Sequence, residues 1–95
     1  MVHVVARMEL NENCFDKMVD ILRDLVPVVR AEDGCIMYNP SIDVDGNKTF
    51  LTIVESWESE AHLKAHLDSP HMADYRVAAA ALRKGADVKV MTPIL

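Results

Sequence analysis

The apolar residues at the start of the chain change their spacing once. β-branched residues dominate residues 2–9 and nothing breaks the run, which predicts a strand. From residue 15 onward, apolar side chains recur every three or four positions, which predicts a helix with one buried face. That face comprises Phe15, Met18, Val19, Leu22, Leu25, Val26 and Val29.

Polar and helix-breaking residues mark the ends of this helix. Residues 11–13 (NEN) supply N-cap candidates. Pro27 removes a backbone donor, so we expect a kink or a loosened last turn there. Residues 32–34 (EDG) end the helix, and Gly34 can take the positive φ that helix ends often need.

The middle and the end of the chain predict a hairpin, two helices and a last strand. Strands over residues 35–44 and 49–57 flank an Asp-Gly step, which is a strong indicator of a hairpin. A helix over residues 59–68 follows. Ser69-Pro70 then supplies an N-cap and a first-turn proline. We expect this second helix to carry Arg83-Lys84 in its last turn and stop at Gly85, before a strand over residues 88–92.

This order of elements, β-α-β-β-α(α)-β, is the ferredoxin-like split βαβ arrangement. We therefore predict a single α+β domain over residues 1–95, with a four-stranded antiparallel sheet whose first and third strands are central. Pro40 in the second strand and Pro93 at the end of the fourth agree, because sheets tolerate proline mainly at edges.

Both central strands carry apolar residues on each face. Helices in this fold cover one face, so the other would expose a larger apolar patch than a monomer usually shows. We therefore predict a homodimer through the sheet faces, since the tail after Pro93 is too short to cover one. On the first strand we assign the row of His3, Val5 and Arg7 to the helices and the pocket. The row assigned to the dimer is Val2, Val4, Ala6 and Met8, and on the third strand Phe50 and Val54 lie opposite Leu51, Ile53 and Trp57.

Composition narrows the partners and the setting. The chain has 15 acidic and 10 basic residues and a net charge of −5, which disfavours nucleic acid and anionic membranes. We expect no signal peptide, and no apolar stretch approaches the roughly 20 residues of a membrane span. Cys14 and Cys35 lack metal-type spacing, so we expect free thiols in a reducing cytoplasm. A secreted protein with one disulfide is the alternative.

Three segments together resemble the antibiotic biosynthesis monooxygenase family. They are residues 32–38 (EDGCIMY), 55–61 (ESWESEA) and 65–71 (AHLDSPH), in this order and spacing. The resemblance implies dimeric α/β barrels in which two sheets pack face to face, with one pocket per subunit between sheet and helices. Family members include cofactor-free oxygenases of quinols and polycyclic phenols, haem-degrading enzymes and an isomerase of a phosphorylated sugar. The family therefore predicts the fold better than the substrate.

His66 is the first candidate for catalysis. It lies at the margin of the apolar side of its helix, one turn from Leu63, where a neutral imidazole can accept a phenolic or enolic proton. In the family the matching histidine is associated with the pocket. The structural alternative is a half-buried histidine hydrogen-bonded to a backbone carbonyl.

His62, His66 and His71 also raise the question of a metal, because histidines four residues apart share a helix face. His62 points away from the apolar side, His71 follows a proline, and no acidic residue or cysteine completes a ligand set by its spacing. We therefore predict no metal.

Five further residues are predicted to bind substrate. Trp57 could form a flat wall for an aromatic ring, and Tyr38 or Tyr75 could hydrogen-bond a substrate oxygen, although all three could simply pack in the core. His71 joins them. Arg7 needs an anion, which is either a substrate oxygen or Glu55 on the neighbouring strand.

Haem breakdown is not expected. The haem-degrading relatives use an Asn, a Trp and an iron-ligating His at positions that align here with Arg7, His66 and Arg76. Neither cysteine has a histidine partner that would make it a nucleophile. We expect no cofactor.

The sequence thus favours a cofactor-independent monooxygenase of a quinol-like or polyphenolic molecule, with His66 as the base that activates the substrate towards O2. The alternative is a non-oxidative isomerase or binding protein for an enolisable or phosphorylated carbonyl compound. Arg7, Arg76 and the helix start near Ser69 would then hold an anion. An inert dimerisation module, with its pocket filled by its own side chains, is a third possibility.

Overall fold

The computed structural model describes residues 1–95, and its elements follow the predicted order. They are β1 (Val2–Leu10), α1 (Phe15–Arg30), β2 (Cys35–Ser41), β3 (Phe50–Trp57), α2 (Glu60–Leu67), α3 (Pro70–Ala80) and β4 (Arg83–Met91).

The four strands form one antiparallel sheet in the order β2-β3-β1-β4. The prediction that strands one and three are central is confirmed, and the fold is α+β and ferredoxin-like. Pro40 lies in the edge strand β2, as expected, whereas Pro93 lies beyond the end of β4. The three helices pack on one face of this sheet.

α1 buries its predicted apolar stripe, with Met18, Leu22, Leu25 and Val29 buried against the sheet. Its N-cap is Cys14 rather than a residue of the NEN segment, and it makes no side-chain cap bond. The helix continues past Pro27 to Arg30. At 16 residues it is the longest helix, and no helix combines the length and apolar character needed to cross a membrane.

Gly34 has the positive φ that the sequence predicts, +80°. It lies under the ring of His62, where an added Cβ would come within 2.3 Å of the imidazole Cγ. Both its backbone conformation and the lack of space therefore require glycine at this position.

Two predicted boundaries were wrong. The hairpin loop is longer than predicted, because β2 ends at Ser41 and β3 begins at Phe50. The last helix ends at Ala80, and the Arg83-Lys84-Gly85 stretch belongs to β4 instead of a final helical turn. The reason is sheet pairing: Arg83 is the register partner of Leu10 on β1, and Leu82 accepts a hydrogen bond from Asn11 N at 2.9 Å.

The face assignment of β1 was also wrong. Residues directly opposite each other in an antiparallel pair share a face. Val2 pairs with Trp57 and Met8 with Leu51, so the even-numbered row of β1 lies under the helices. That row is the buried one, whereas Val5 and Arg7 face the side without helices. We call this second side the open face; on the central strands it carries His3, Val5, Arg7, Glu9, Phe50, Thr52, Val54 and Ser56.

Candidate functional site

A cavity of about 160 Å³ lies between the helix-covered face of the sheet and helices α2 and α3. Its walls are mostly apolar and come from all four strands and both helices. The polar and charged side chains that line it are Tyr38, Glu55, His66, Tyr75, Arg76 and Arg83.

His66 lines this cavity from α2 and is 2 % exposed. Ser59 is the N-cap of this helix, and its Oγ accepts a hydrogen bond from His62 N at 3.2 Å. At its other end Ser69 Oγ donates to the carbonyl oxygen of His66 at 2.6 Å. His66 thus lies on a short helix whose two ends are each stabilised by a serine hydroxyl.

Glu32 holds the imidazole of His66. The distance from His66 Nδ1 to Glu32 Oε2 is 2.6 Å, so Nδ1 donates its proton to the carboxylate. The partner is therefore a carboxylate and not the backbone carbonyl considered above. Because Nδ1 carries the proton in this tautomer, Nε2 keeps its lone pair, and no protein group forms a hydrogen bond with it.

Burial decides the charge of His66. It lowers the pKa of the imidazole below its ordinary value of 6.5, and Glu32 opposes the shift only in part. The positive charge of Arg76 lowers the pKa further. His66 is therefore neutral at pH 7, which is the form able to take a proton.

His71 lies on the far side of the same carboxylate. Its Nε2 is 2.6 Å from Glu32 Oε1 and 3.1 Å from Ser69 Oγ. The residue is partly exposed and does not line the cavity. His71 therefore lies beside the Glu32–His66 pair and outside the cavity, and this position does not support the predicted contact with substrate.

Three possible metal ligands, Glu32, His66 and His71, lie close together, although the sequence predicts no metal. One ligand atom from each lies within 4.8 Å of the others, so Glu32 completes a set that spacing along the chain did not reveal. In the structure these atoms are joined by hydrogen bonds. His62 stands apart, with Nε2 at 3.4 Å from Asp33.

Trp57 supports the site without lining the cavity. Its ring packs against His66 with centroids 4.5 Å apart and the ring planes tilted by 32°, and it is fully buried. Its Nε1 donates to Glu55 Oε1 at 3.0 Å. The position of Trp57 therefore favours packing in the core over contact with a substrate.

Glu55 is a buried carboxyl group on the cavity wall that sequence analysis missed as a site residue. It is 6 % exposed, and burial raises its pKa, with the charge of Glu32 adding to the shift and the Trp57 hydrogen bond opposing it. Strand alternation could have identified it, because it lies between Ile53 and Trp57 in the apolar row of β3.

Tyr38 and Tyr75 both line the cavity, and their contact with a substrate stays a prediction. Burial raises the pKa of both phenols, so both are neutral and able to donate hydrogen bonds. Tyr38 meets His66 edge-on, with ring centroids 5.6 Å apart. The Tyr75 hydroxyl is buried and has no hydrogen-bond partner in the protein.

Arg7 does not belong to this site. It lies on the open face, where it forms a bidentate ion pair with Asp43, at 3.0 and 2.9 Å. It also donates a hydrogen bond to Thr52 Oγ1 at 2.9 Å. Glu55 is on the opposite face of the sheet, so the proposed Arg7–Glu55 pair was wrong as well. Both errors follow from the reversed faces of β1. Arg76 and Arg83 are the arginine residues that line the cavity.

Comparison with known proteins agrees with this architecture. Residues 1–78 match the family described as "Antibiotic biosynthesis monooxygenase". The chain is 32 % identical over 83 residues to the "Probable quinol monooxygenase YgiN" of Escherichia coli K12, covering 80 % of each chain. It is 30 % identical over 94 residues to the "Putative monooxygenase Rv0793" of Mycobacterium tuberculosis, covering 98 % of this chain and 91 % of that one. The solved structure of Rv0793 superposes with a TM-score of 0.90 at 29 % identity, covering 99 % and 95 % of the two chains. The chain therefore belongs to the antibiotic biosynthesis monooxygenase family.

Proposed function

We propose that this protein is a cofactor-independent monooxygenase that oxidises a quinol-like molecule in the cavity beside His66. The observation that carries the proposal is the Glu32–His66 pair, a neutral and oriented imidazole on the wall of a mostly apolar cavity. The names of the relatives, a probable quinol monooxygenase and a putative monooxygenase, support the same class of reaction.

This reaction requires a base and a cavity that excludes water, and it does not require a cofactor. His66 Nε2 takes a proton from a quinol hydroxyl, and the imidazolium that forms is stabilised by the Glu32 carboxylate at 2.6 Å. The electron-rich quinol anion then reduces O2. One oxygen atom enters the ring and the other leaves as water, so one quinol and one O2 give one hydroxyquinone and one water. The quinol supplies all the electrons.

An oxygen electrode tests this proposal directly. Protein dialysed against EDTA should consume O2 with a panel of hydroquinones, in a ratio of one O2 to one quinol, and label from 18-oxygen gas should appear once in the product. Heat-denatured protein gives the background rate of autoxidation. Consumption equal to that background across the panel, or stoichiometric release of hydrogen peroxide without label in the ring, would contradict the proposal.

We also propose that the chain acts as a homodimer through the open face. The helices leave this face uncovered, and the apolar side chains of Val5, Phe50 and Val54 lie there beside the Arg7–Asp43 ion pair. A second copy is the simplest cover for such a mixed face.

Val54→Lys is expected to convert the dimer to a monomer, because Val54 pairs with Val5 at the centre of the open face and the change would bury two unpaired charges in a symmetric interface. Light scattering after gel filtration measures the mass. Val77→Lys, on the exposed side of α3, is the matched control and should leave the mass unchanged. A wild-type monomer at micromolar concentration would refute the dimer.

A non-oxidative isomerase or binding protein for a phosphorylated or enolisable carbonyl compound is the second candidate. The two arginine residues that line the cavity, Arg76 and Arg83, favour it, because a guanidinium binds phosphate and carboxylate oxygens. It predicts no O2 uptake with any quinol, together with binding of sugar phosphates and exchange of the substrate's α-hydrogen for deuterium in heavy water.

A further inference from the structure

We propose that the cavity selects a one-ring hydroquinone that carries an anionic substituent, with the ring inside the cavity and the anion held by Arg76 and Arg83. This inference deepens the proposed function and rests on it for the oxygen chemistry.

The first support is the unpaired positive charge around the cavity. Neither Arg76 nor Arg83 forms an ion pair with a carboxylate, although the chain has a net charge of −5. The side chains that do form ion pairs are Arg7, Arg23, Lys64, Lys84, Lys89 and three histidines. Arg76 is exposed to solvent, and its Nη2 donates to the carbonyl oxygen of Leu67 at 2.5 Å. Arg83 Cζ lies 5.9 Å from the centre of the Tyr75 ring. These contacts position both guanidinium groups without neutralising them, and a guanidinium is suited to a carboxylate.

The second support is a buried hydroxyl that lacks a partner. Tyr75 is 7 % exposed, its side chain lines the cavity, and no protein group meets its hydroxyl with the distance and angle of a hydrogen bond. The nearby Arg83 guanidinium opposes the rise that burial causes in the pKa of this phenol. Buried polar groups are rarely left unpaired, so a ligand oxygen is expected to meet this hydroxyl. A hydroquinone brings two such oxygens, one for His66 and one for Tyr75.

The third support is size. The cavity measures about 160 Å³. An apolar cavity of about 150 Å³ is known to hold one benzene ring, so a single ring fits the volume of this one. The cavity is open to solvent on the β4 side, where Val88 and Val90 are each 54 % exposed. Met8, Ile53 and Leu63 are among the apolar side chains that line the cavity.

Calorimetric titration under nitrogen tests the proposal independently of turnover. The two ligands are gentisate and gentisamide, which share the ring and both hydroxyl groups and differ in the charge of one substituent. We expect gentisate to bind at least about tenfold more tightly than gentisamide. Arg76→Gln and Arg83→Gln should each reduce that preference and their combination should abolish it. Arg23→Gln, which removes an exposed arginine of α1 paired with Asp20 at 2.8 Å, is the control. A dihydroxynaphthoate, with the same charge on two rings, should bind at least about tenfold more weakly than gentisate.

The outcomes separate this proposal from the proposed function. Oxygen uptake with equal affinity for gentisate and gentisamide would overturn the anion site and leave the oxygenase standing. The expected affinities without oxygen uptake would support the anion site while refuting the oxygenase. Equal binding of the two-ring acid would overturn the one-ring limit. A preference for gentisate that survives the double arginine variant would refute the role of Arg76 and Arg83.

Discussion

Replacing His66 by glutamine is expected to lower kcat/KM for the preferred quinol by about 10²–10⁴-fold, the usual contribution of a general base. Glutamine retains a hydrogen-bonding side chain but cannot take a proton, whereas the neutral Nε2 of His66 can. Stopped-flow absorbance of quinone formation, corrected for autoxidation, measures the effect. His62→Gln, the same change one turn earlier on α2, is the control. Turnover unchanged in His66→Gln would remove this residue from the mechanism.

The pH profile gives an independent test of His66. Because burial lowers its pKa below 6.5, kcat/KM should rise with pH through a midpoint below 6.5 and reach a plateau above it. The unfolded chain binds the proton at its ordinary pKa, so the folded state also loses stability as pH falls below about 6.5. Glu32→Gln removes the charge that favours the imidazolium and should move the kinetic midpoint to still lower pH. A wild-type midpoint above 6.5 would contradict the assignment.

Trp57→Ala is expected to lower the free energy of unfolding by about 3–5 kcal/mol, the range for large-to-small changes at buried aromatic sites. The ring is fully buried, packs against His66 and supplies the hydrogen bond to Glu55. Its loss leaves a void and a buried carboxyl group without its donor. Domains of this size have a total free energy of unfolding of about 5–15 kcal/mol. A large part of the variant population is therefore expected to unfold at moderate temperature.

Urea unfolding followed by circular dichroism measures this change, because the chain has no other tryptophan to report by fluorescence. Trp57→Phe keeps a ring in place and should cost less, about 1–3 kcal/mol, mainly from the unpaired Glu55 carboxyl group. Val77→Ala, 78 % exposed on α3, should change stability by less than about 0.5 kcal/mol. A loss below about 1 kcal/mol for Trp57→Ala would show that Trp57 does not support the core.

Some residues of the site could be predicted from the sequence and others could not. Tyr38, Tyr75 and His66 could be placed near a pocket because each lies on a predicted element and the family resemblance supplied the pocket. Glu32 could not be identified as the partner of His66, because 34 residues separate them and no periodicity links a helix end to a later helix. Glu55 was detectable in principle as the one charged residue in the apolar row of β3.

The local pattern of residues by itself determined the order of the elements, the sheet topology and the stripe by which α1 packs. Each depends on spacing within a segment, on turn residues such as Gly34, or on the exclusion of proline from central strands. Tertiary structure alone decided which face of β1 the helices cover, and with it the position of Arg7. Both rows of β1 contain apolar residues, so only the register of Val2 with Trp57 and Met8 with Leu51 distinguishes them. The same long-range pairing ended α3 at Ala80 and brought Arg83 to the cavity beside Tyr75.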